Sequence, residues 1–171
     1  MAATLGLLLA TFIISTVTDV SYSFEICQPG WEDYHTKCYK YFSMRKTWID
    51  AESYCGSLGG NLASVHSSGE NYFITKLIKR SDSHEPITWL GGSNSVQISS
   101  WLWTDGSKWD FVNWYPGEPN NSGGNEHCLH TNFDAQGGWN DINCGYQYSF
   151  VCVRNEWQML KIKNEGSHER H

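Results

Sequence analysis

The 171-residue sequence lacks an apolar run of comfortable membrane-spanning length, a cluster of basic residues, an internal repeat, and any collagen or heptad pattern. Each absence excludes a class of protein. With the 12 Lys and Arg scattered among 18 Asp and Glu, for a formal net charge of -6, there is no electrostatic footprint for nucleic acid. Acidic partners are disfavoured for the same reason. Without collagen triplets or heptads, and with the cysteines expected to be used up in disulfides within the domain, any assembly of several copies is expected to be noncovalent or to use other surfaces.

What is present begins with residues 1–23. Leu5 to Ile14 are apolar, the following residues are small and polar, and Ser21-Tyr22-Ser23 offers a small-x-small cleavage pattern, so this stretch is predicted to be a cleaved signal peptide. A short membrane anchor is the alternative, since no Lys or Arg precedes the run, but the run is short for a span. The expectation is a secreted, extracellular protein with no membrane span after cleavage and a single globular domain. The 6 cysteines, Cys27, Cys38, Cys55, Cys128, Cys144 and Cys152, all follow the leader. An even number in an exported chain points to three disulfides, while the count leaves the pairing open. Zinc would need close Cys or His pairs, and His127-Cys128-Leu129-His130 has no second pair to complete it.

Trp48, Ala51, Cys55 and Leu58 recur at helical spacing until Gly59-Gly60 stops them, which predicts a first amphipathic helix. Ser67-Ser68-Gly69-Glu70 is a capping box ahead of Phe73, Ile74, Leu77 and Ile78, which predicts a second. Trp89-Leu90-Gly91-Gly92 and Phe150-Val151-Cys152-Val153 are expected as short buried strands. From Gly92 to Cys144 the chain is rich in Gly, Asn, Asp, Ser and Trp without sustained periodicity, which predicts long packed loops. The 9 tryptophans and 9 tyrosines of the chain supply the apolar area a small domain needs. Residues 156–171 are polar and predicted to form a solvated tail.

Oxygen-bearing side chains gather inside the loop region: Glu118-Pro119-Asn120, then Glu126, then Trp139-Asn140-Asp141. Calcium is a hard cation that takes ~6 to 8 oxygens from carboxylates, amide carbonyls and water. Three carboxylates with two carboxamides suit it, and each asparagine keeps an N–H for a further partner. An ion with an incomplete shell could then accept two adjacent sugar hydroxyls while the same side chains hydrogen-bond them. Asn120-Asn121-Ser122 is the one N-glycosylation sequon, and it falls on a proposed ligand. Asn120 is expected to remain unmodified.

These residues, with the cysteine pattern, the opening Cys27-Gln28-Pro29-Gly30-Trp31 and Trp89-Leu90-Gly91-Gly92, resemble the C-type lectin family over Cys27 to Cys152. The resemblance implies an α+β C-type lectin-like domain over residues 24–155: two helices, antiparallel sheets, a long loop region and three disulfides. It implies the pairings Cys27 with Cys38, Cys55 with Cys152, and Cys128 with Cys144. It implies one Ca²⁺ held by Glu118, Asn120, Glu126, Asn140 and Asp141, which would also bind the sugar. Positions resembling the family's auxiliary calcium site carry Asn94, Ile98 and Asn121, so a second ion is not expected. In this family Glu-Pro-Asn implies mannose-type sugars with equatorial 3- and 4-hydroxyls, and Gln-Pro-Asp implies galactose. No aromatic residue between Asn121 and Asn125 offers the stacking platform usual in galactose-type members.

The expected partners are therefore carbohydrates on glycoconjugates or microbial surfaces, bound weakly by each copy, so that a homo-oligomer is expected for avidity. Competing readings are galactose binding despite the motif, or ice or protein binding on the same fold. A glycosidase using Glu118 and Glu126 as acid and nucleophile is disfavoured, because both are better explained as ionised ligands, and no catalytic residue is expected.

Overall fold

The computed structural model describes residues 27–97, 100–134 and 136–155. The predicted leader at 1–23, the tail at 156–171 and Ile98 lie outside the described residues. In chain order the elements are β1 (Glu32–Tyr34), β2 (Lys37–Lys46), α1 (Trp48–Ser57), β3 (Asn61–Leu62), α2 (Ser68–Ser81), β4 (Thr88–Ser93), β5 (Leu102–Trp103), a 3-10 turn (Ser122–Gly124), β6 (Cys128–Thr131), β7 (Asn140–Ile142) and β8 (Tyr148–Asn155).

Both predicted helices form for the reasons the sequence offers. Thr47 caps α1, its side chain accepting from the Asp50 N–H, and Trp48, Ala51 and Cys55 form the buried stripe. Gly59 then takes a φ of +78°, and Gly60 N–H bonds back to the Cys55 carbonyl, which ends the helix in a conformation that favours glycine. Ser67 caps α2 by accepting from Glu70 N–H at 3.1 Å. The Glu70 carboxylate goes beyond a capping box: Oε2 accepts from His66 N–H at 2.6 Å, while Oε1 accepts from Lys37 Nζ at 3.2 Å and from the Tyr39 hydroxyl. The start of α2 is thereby tied to β2 by a buried carboxylate whose charge is met by donors.

The strands form one sheet in the order β1-β2-β8-β4-β6-β7, with β3 also paired to β8 and β5 to β4. The expectation of antiparallel sheets needs correction, because β4 and β8 run parallel, with Thr88 opposite Ser149 and Trp89 opposite Phe150. Parallel neighbours need a long crossover, and the loop region between β4 and β8 supplies it. That region is also more ordered than its composition suggests, since it contains β5, β6 and β7. Strands of two to four residues are too short to show an alternating pattern, and all four residues of β6 are buried.

The sheet is covered on both faces. Phe150 and Cys152 join Trp48, Ala51, Cys55, Leu62 and Trp89 in one core, whereas Val151 and Val153 join Tyr39, Ile74, Ile78, Leu90 and Leu129 in the other. Successive residues of β8 thus serve opposite faces, one under α1 and one under α2. Burial on both sides explains why β8 reads as a continuous apolar run. Beyond the second core, Trp103 lies 4.3 Å from Trp109 between ring centroids, Trp109 lies 6.3 Å from Trp114, and Trp114 lies 5.8 Å from Trp139. This stack is the interior of the loop region.

Three disulfides join Cys27 to Cys38, Cys55 to Cys152, and Cys128 to Cys144, the pairings implied by the family resemblance. Cys55 and Cys152 are fully buried and 97 residues apart, so their bond ties α1 to β8 across almost the whole domain. In the chain-entropy account, closing a loop of that length stabilises by about 4 to 5 kcal/mol. The double substitution Cys55→Ser with Cys152→Ser is therefore expected to lower the unfolding free energy by roughly that amount. Denaturant titration beside the unsubstituted protein measures it, and a change below about 1 kcal/mol would contradict this account.

Candidate functional site

Approaching the acidic loop, the chain turns at Tyr115-Pro116-Gly117-Glu118, where Glu118 N–H bonds to the Tyr115 carbonyl at 2.9 Å and Gly117 has a φ of +98°. Proline at the second position and a positive-φ glycine at the third are the residues a type II turn requires. The Glu118-Pro119 peptide is cis. Asn120 and Asn121 then run past β7, where the carboxylate of the fully buried Asp141 accepts both backbone N–H groups, Asn120 at Oδ1 and Asn121 at Oδ2, each at 2.9 Å. One carboxylate thus fixes two consecutive loop amides to the sheet.

The rest of the loop is stitched from within. Glu126 N–H bonds to Asn121 Oδ1 at 3.0 Å, Glu126 Oε2 accepts from Ser122 N–H at 2.8 Å, and Asn120 Nδ2 donates to Glu118 Oε1 at 2.9 Å. Glu118, Asn120 and Asp141 are therefore joined directly, and Glu126 is joined to them through Asn121 and Ser122. Asn140 precedes Asp141 in β7, and its Nδ2 lies 3.2 Å from His130 Nε2 on β6.

Two acceptor atoms stand out. Glu118 Oε2 and Asn140 Oδ1 are both buried and have no hydrogen-bond partner. Leaving such an acceptor unpaired costs about 1 to 3 kcal/mol, more when it is charged. Burial, and next the nearby Asp141 charge, push the Glu118 carboxyl above the ordinary carboxylate range. The site gathers more negative charge and more oxygen acceptors than its own donors satisfy. Among the described residues no three His, Cys, Asp or Glu side chains are arranged to hold a metal by themselves, so an ion here would have to draw on asparagine oxygens as well.

The remaining sequence candidates resolve simply. His127 Nδ1 lies 2.9 Å from Asn94 Oδ1, Cys128 is in a disulfide, and His130 is fully buried with its ring turned toward Asn140, so the His127-Cys128-Leu129-His130 segment forms no zinc site. Burial pushes the His130 imidazole down to about 4, against opposing contributions from the Thr131 carbonyl and Asp141, so the ring is neutral near pH 7. Two contributions were invisible in the sequence: Asn121 as a brace for Glu126, and His130 as a neighbour of Asn140. Only the β6–β7 register, with His130 opposite Asn140 and Leu129 opposite Asp141, reveals the second.

The Lectin C-type domain family model matches residues 44–154, and the chain belongs to the C-type lectin domain family. It is 44% identical over 130 residues to a lectin of Pleurodeles waltl, covering 75% of this chain and 76% of that one. It is 42% identical over 131 residues to the lactose-binding lectin l-2 of Anguilla japonica, covering 74% and 77% respectively. Among solved structures it matches the EPNH mutant of CEL-I with a TM-score of 0.72 and 30% identity, covering 74% of this chain and 95% of that one. Both of these named relatives are lectins, and the second is named for binding lactose.

The Asp141 clamp is directly testable. A charge-assisted hydrogen bond contributes ~1.5 to 3 kcal/mol, so Asp141→Ala is expected to speed exchange of the Asn120 and Asn121 amides by about tenfold or more. The amides of β8 should keep their protection. Hydrogen–deuterium exchange read by NMR checks both, and unchanged protection at Asn120 and Asn121 would remove the clamp.

Proposed function

We propose that the chain is a secreted lectin that binds mannose-type sugars through one Ca²⁺ held by Glu118, Asn120, Glu126, Asn140 and Asp141. The observation that carries this reading is the pair of buried, unpartnered oxygens, Glu118 Oε2, which feels the Asp141 charge, and Asn140 Oδ1, on the residue that precedes Asp141 in β7. A cation placed among them relieves both the missing partners and the like-charge repulsion. The donor set is all oxygen, which suits a hard cation and not zinc.

The side chains divide two tasks. Asp141 keeps the loop against β7 through the Asn120 and Asn121 amides. Glu118 and Glu126 supply charge and accept hydrogen bonds from sugar hydroxyls, the Asn120 amide hydrogen not used inside the protein donates to a hydroxyl oxygen, and Asn140, whose NH₂ faces His130, contributes its Oδ1. A bound calcium would take adjacent hydroxyl oxygens of the sugar as further ligands beside these side chains. The order carboxylate at 118 and amide at 120 favours mannose-type ligands in this family, and the absence of an aromatic residue from Asn121 to Asn125 agrees. The lactose-binding relative makes galactosides the informative alternative.

A glycan array run with calcium and with chelator tests the whole reading. Binding to mannose-type glycans that disappears with chelator is expected. Binding indifferent to chelator would overturn the metal, and a preference for galactosides would overturn the sugar class alone. Asn120 is exposed and belongs to the sequon, so intact-mass measurement of the sugar-binding fraction is expected to show no glycan there. A glycan on Asn120 in binding-competent material would refute its role as a ligand.

The raised Glu118 pKa fixes the sign of the pH dependence. Protons compete with the cation for this carboxylate at a higher pH than for an ordinary glutamate near ~4.3. Calcium affinity should be full well above the raised pKa and be lost as pH falls through it. Calorimetric titrations near neutrality and near pH ~5 should show the decline, and equal affinity at both would contradict it.

A further inference from the structure

His130 takes no part in the site as drawn from the sequence, yet it is one of the largest fully buried side chains in the protein. Its ring is boxed by Trp89 at 6.4 Å, Phe133 at 6.0 Å and Tyr148 at 6.1 Å between centroids. Both ring nitrogens have partners inside the protein: Nδ1 lies 3.2 Å from the Thr131 carbonyl oxygen, and Nε2 lies 3.2 Å from Asn140 Nδ2. A carbonyl oxygen can only accept, so Nδ1 carries the hydrogen and Nε2 of the neutral ring presents its lone pair. That lone pair can only be matched by the NH₂ end of the Asn140 amide.

An asparagine amide can turn end for end, exchanging oxygen and nitrogen at nearly the same positions. For Asn140 the two orientations differ completely in consequence. As found, NH₂ faces His130, and Oδ1 is buried without a hydrogen-bond partner. Turned over, the oxygen would meet the Nε2 lone pair and the NH₂ would occupy the position now held by the unpartnered oxygen. Two acceptors would face each other on one side, and hydrogens would replace an oxygen on the other.

We propose that His130 is a positioning residue that locks the Asn140 amide with Oδ1 turned toward the cation site; this rests on the calcium reading above. The cross-strand register holds the pair together, since His130 and Asn140 are directly opposite in the β6–β7 ladder. The Thr131 carbonyl sets the tautomer, the tautomer sets the amide, and the amide presents the oxygen. Groups behind a metal ligand that orient it in this way commonly change metal affinity by ~10 to 100-fold when removed.

Two measurements test this. The first is calorimetric titration of calcium into metal-free protein, with wild type, His130→Leu and His130→Gln, alongside the melting temperature of each metal-free protein. His130→Leu removes the acceptor and is expected to weaken calcium binding by about 10 to 100-fold, whereas His130→Gln restores an acceptor and should recover most of it. Equal loss in both variants, or wild-type affinity in His130→Leu, would overturn the proposal. A purely structural role would lower the melting temperatures without separating the two calcium affinities.

The second measurement needs no variant and survives a failure of His130→Leu to fold. Nitrogen-15 NMR of the wild-type histidines is expected to show His130 protonated at Nδ1 and unprotonated at Nε2. The opposite tautomer in protein that takes up calcium would overturn the His130 assignment alone. Wild-type protein that takes up no calcium would overturn the site reading on which the assignment rests.

Discussion

The position of β8 is the constraint on which the rest of the structure depends. The final strand of the domain lies between β2 and β4, and its successive side chains fill the cores on both faces of the sheet. Neither core is complete until this strand is in place. Such long-range pairing delays the return of contact energy for the loop-closure entropy already spent, a topology associated with slow folding. The buried Cys55–Cys152 bond then makes the arrangement permanent by linking β8 to α1. Everything between β4 and β8 is free to specialise because its two ends are held by the sheet.

The loop region uses that freedom in two ways. Its tryptophans build an interior of their own against Trp139, and its polar residues gather at the surface beyond β7. Trp139, Asn140 and Asp141 are consecutive, so a single short segment belongs at once to the aromatic interior, the sheet and the candidate site. Trp139 Nε1 donates to Asn71 Oδ1 on α2 at 2.8 Å, which carries the same anchoring back to the helical layer. The site is thus anchored by hydrogen bonds where it meets the sheet, and the exposed 3-10 turn lies at its far edge.

Much of this was legible in the sequence, and the limits have identifiable causes. Ser67 announced the second helix because capping is a local interaction that residue type and spacing encode, and the spacing of Trp48, Ala51 and Cys55 announced the first. Glu118, Asn120, Glu126 and Asp141 were legible as a group because they lie close together in the sequence, and hydrogen bonds through Asn120, Asn121 and Ser122 join them in the fold. Strands β6 and β7 were not, since Cys128–Thr131 is buried throughout and Asn140–Ile142 is too short to alternate. The parallel contact of β4 with β8 depends on how distant segments meet, which no local pattern records. His130 was seen only as half of an improbable zinc pair, and its true neighbour became visible through strand register. Glu70 was read as a cap, while its bonds to Lys37 and Tyr39 are long-range. In each case the sequence carried the local half of an interaction, and the fold supplied the partner.

The tryptophan stack also gives the protein an optical character. Trp101, Trp103, Trp109, Trp114 and Trp139 have ring centroids 4.3 to 6.3 Å apart along a continuous path, close enough for their electronic transitions to couple. Near-ultraviolet circular dichroism should carry exciton features from this group, whereas the far-ultraviolet signal also reports the helices and the sheet. Because Trp139 is covalently next to Asn140, any rearrangement of β7 moves one of the coupled chromophores. The domain therefore carries an intrinsic, label-free spectroscopic probe to which the coupled rings of its loop region contribute alongside Trp48 and Trp89 of the scaffold.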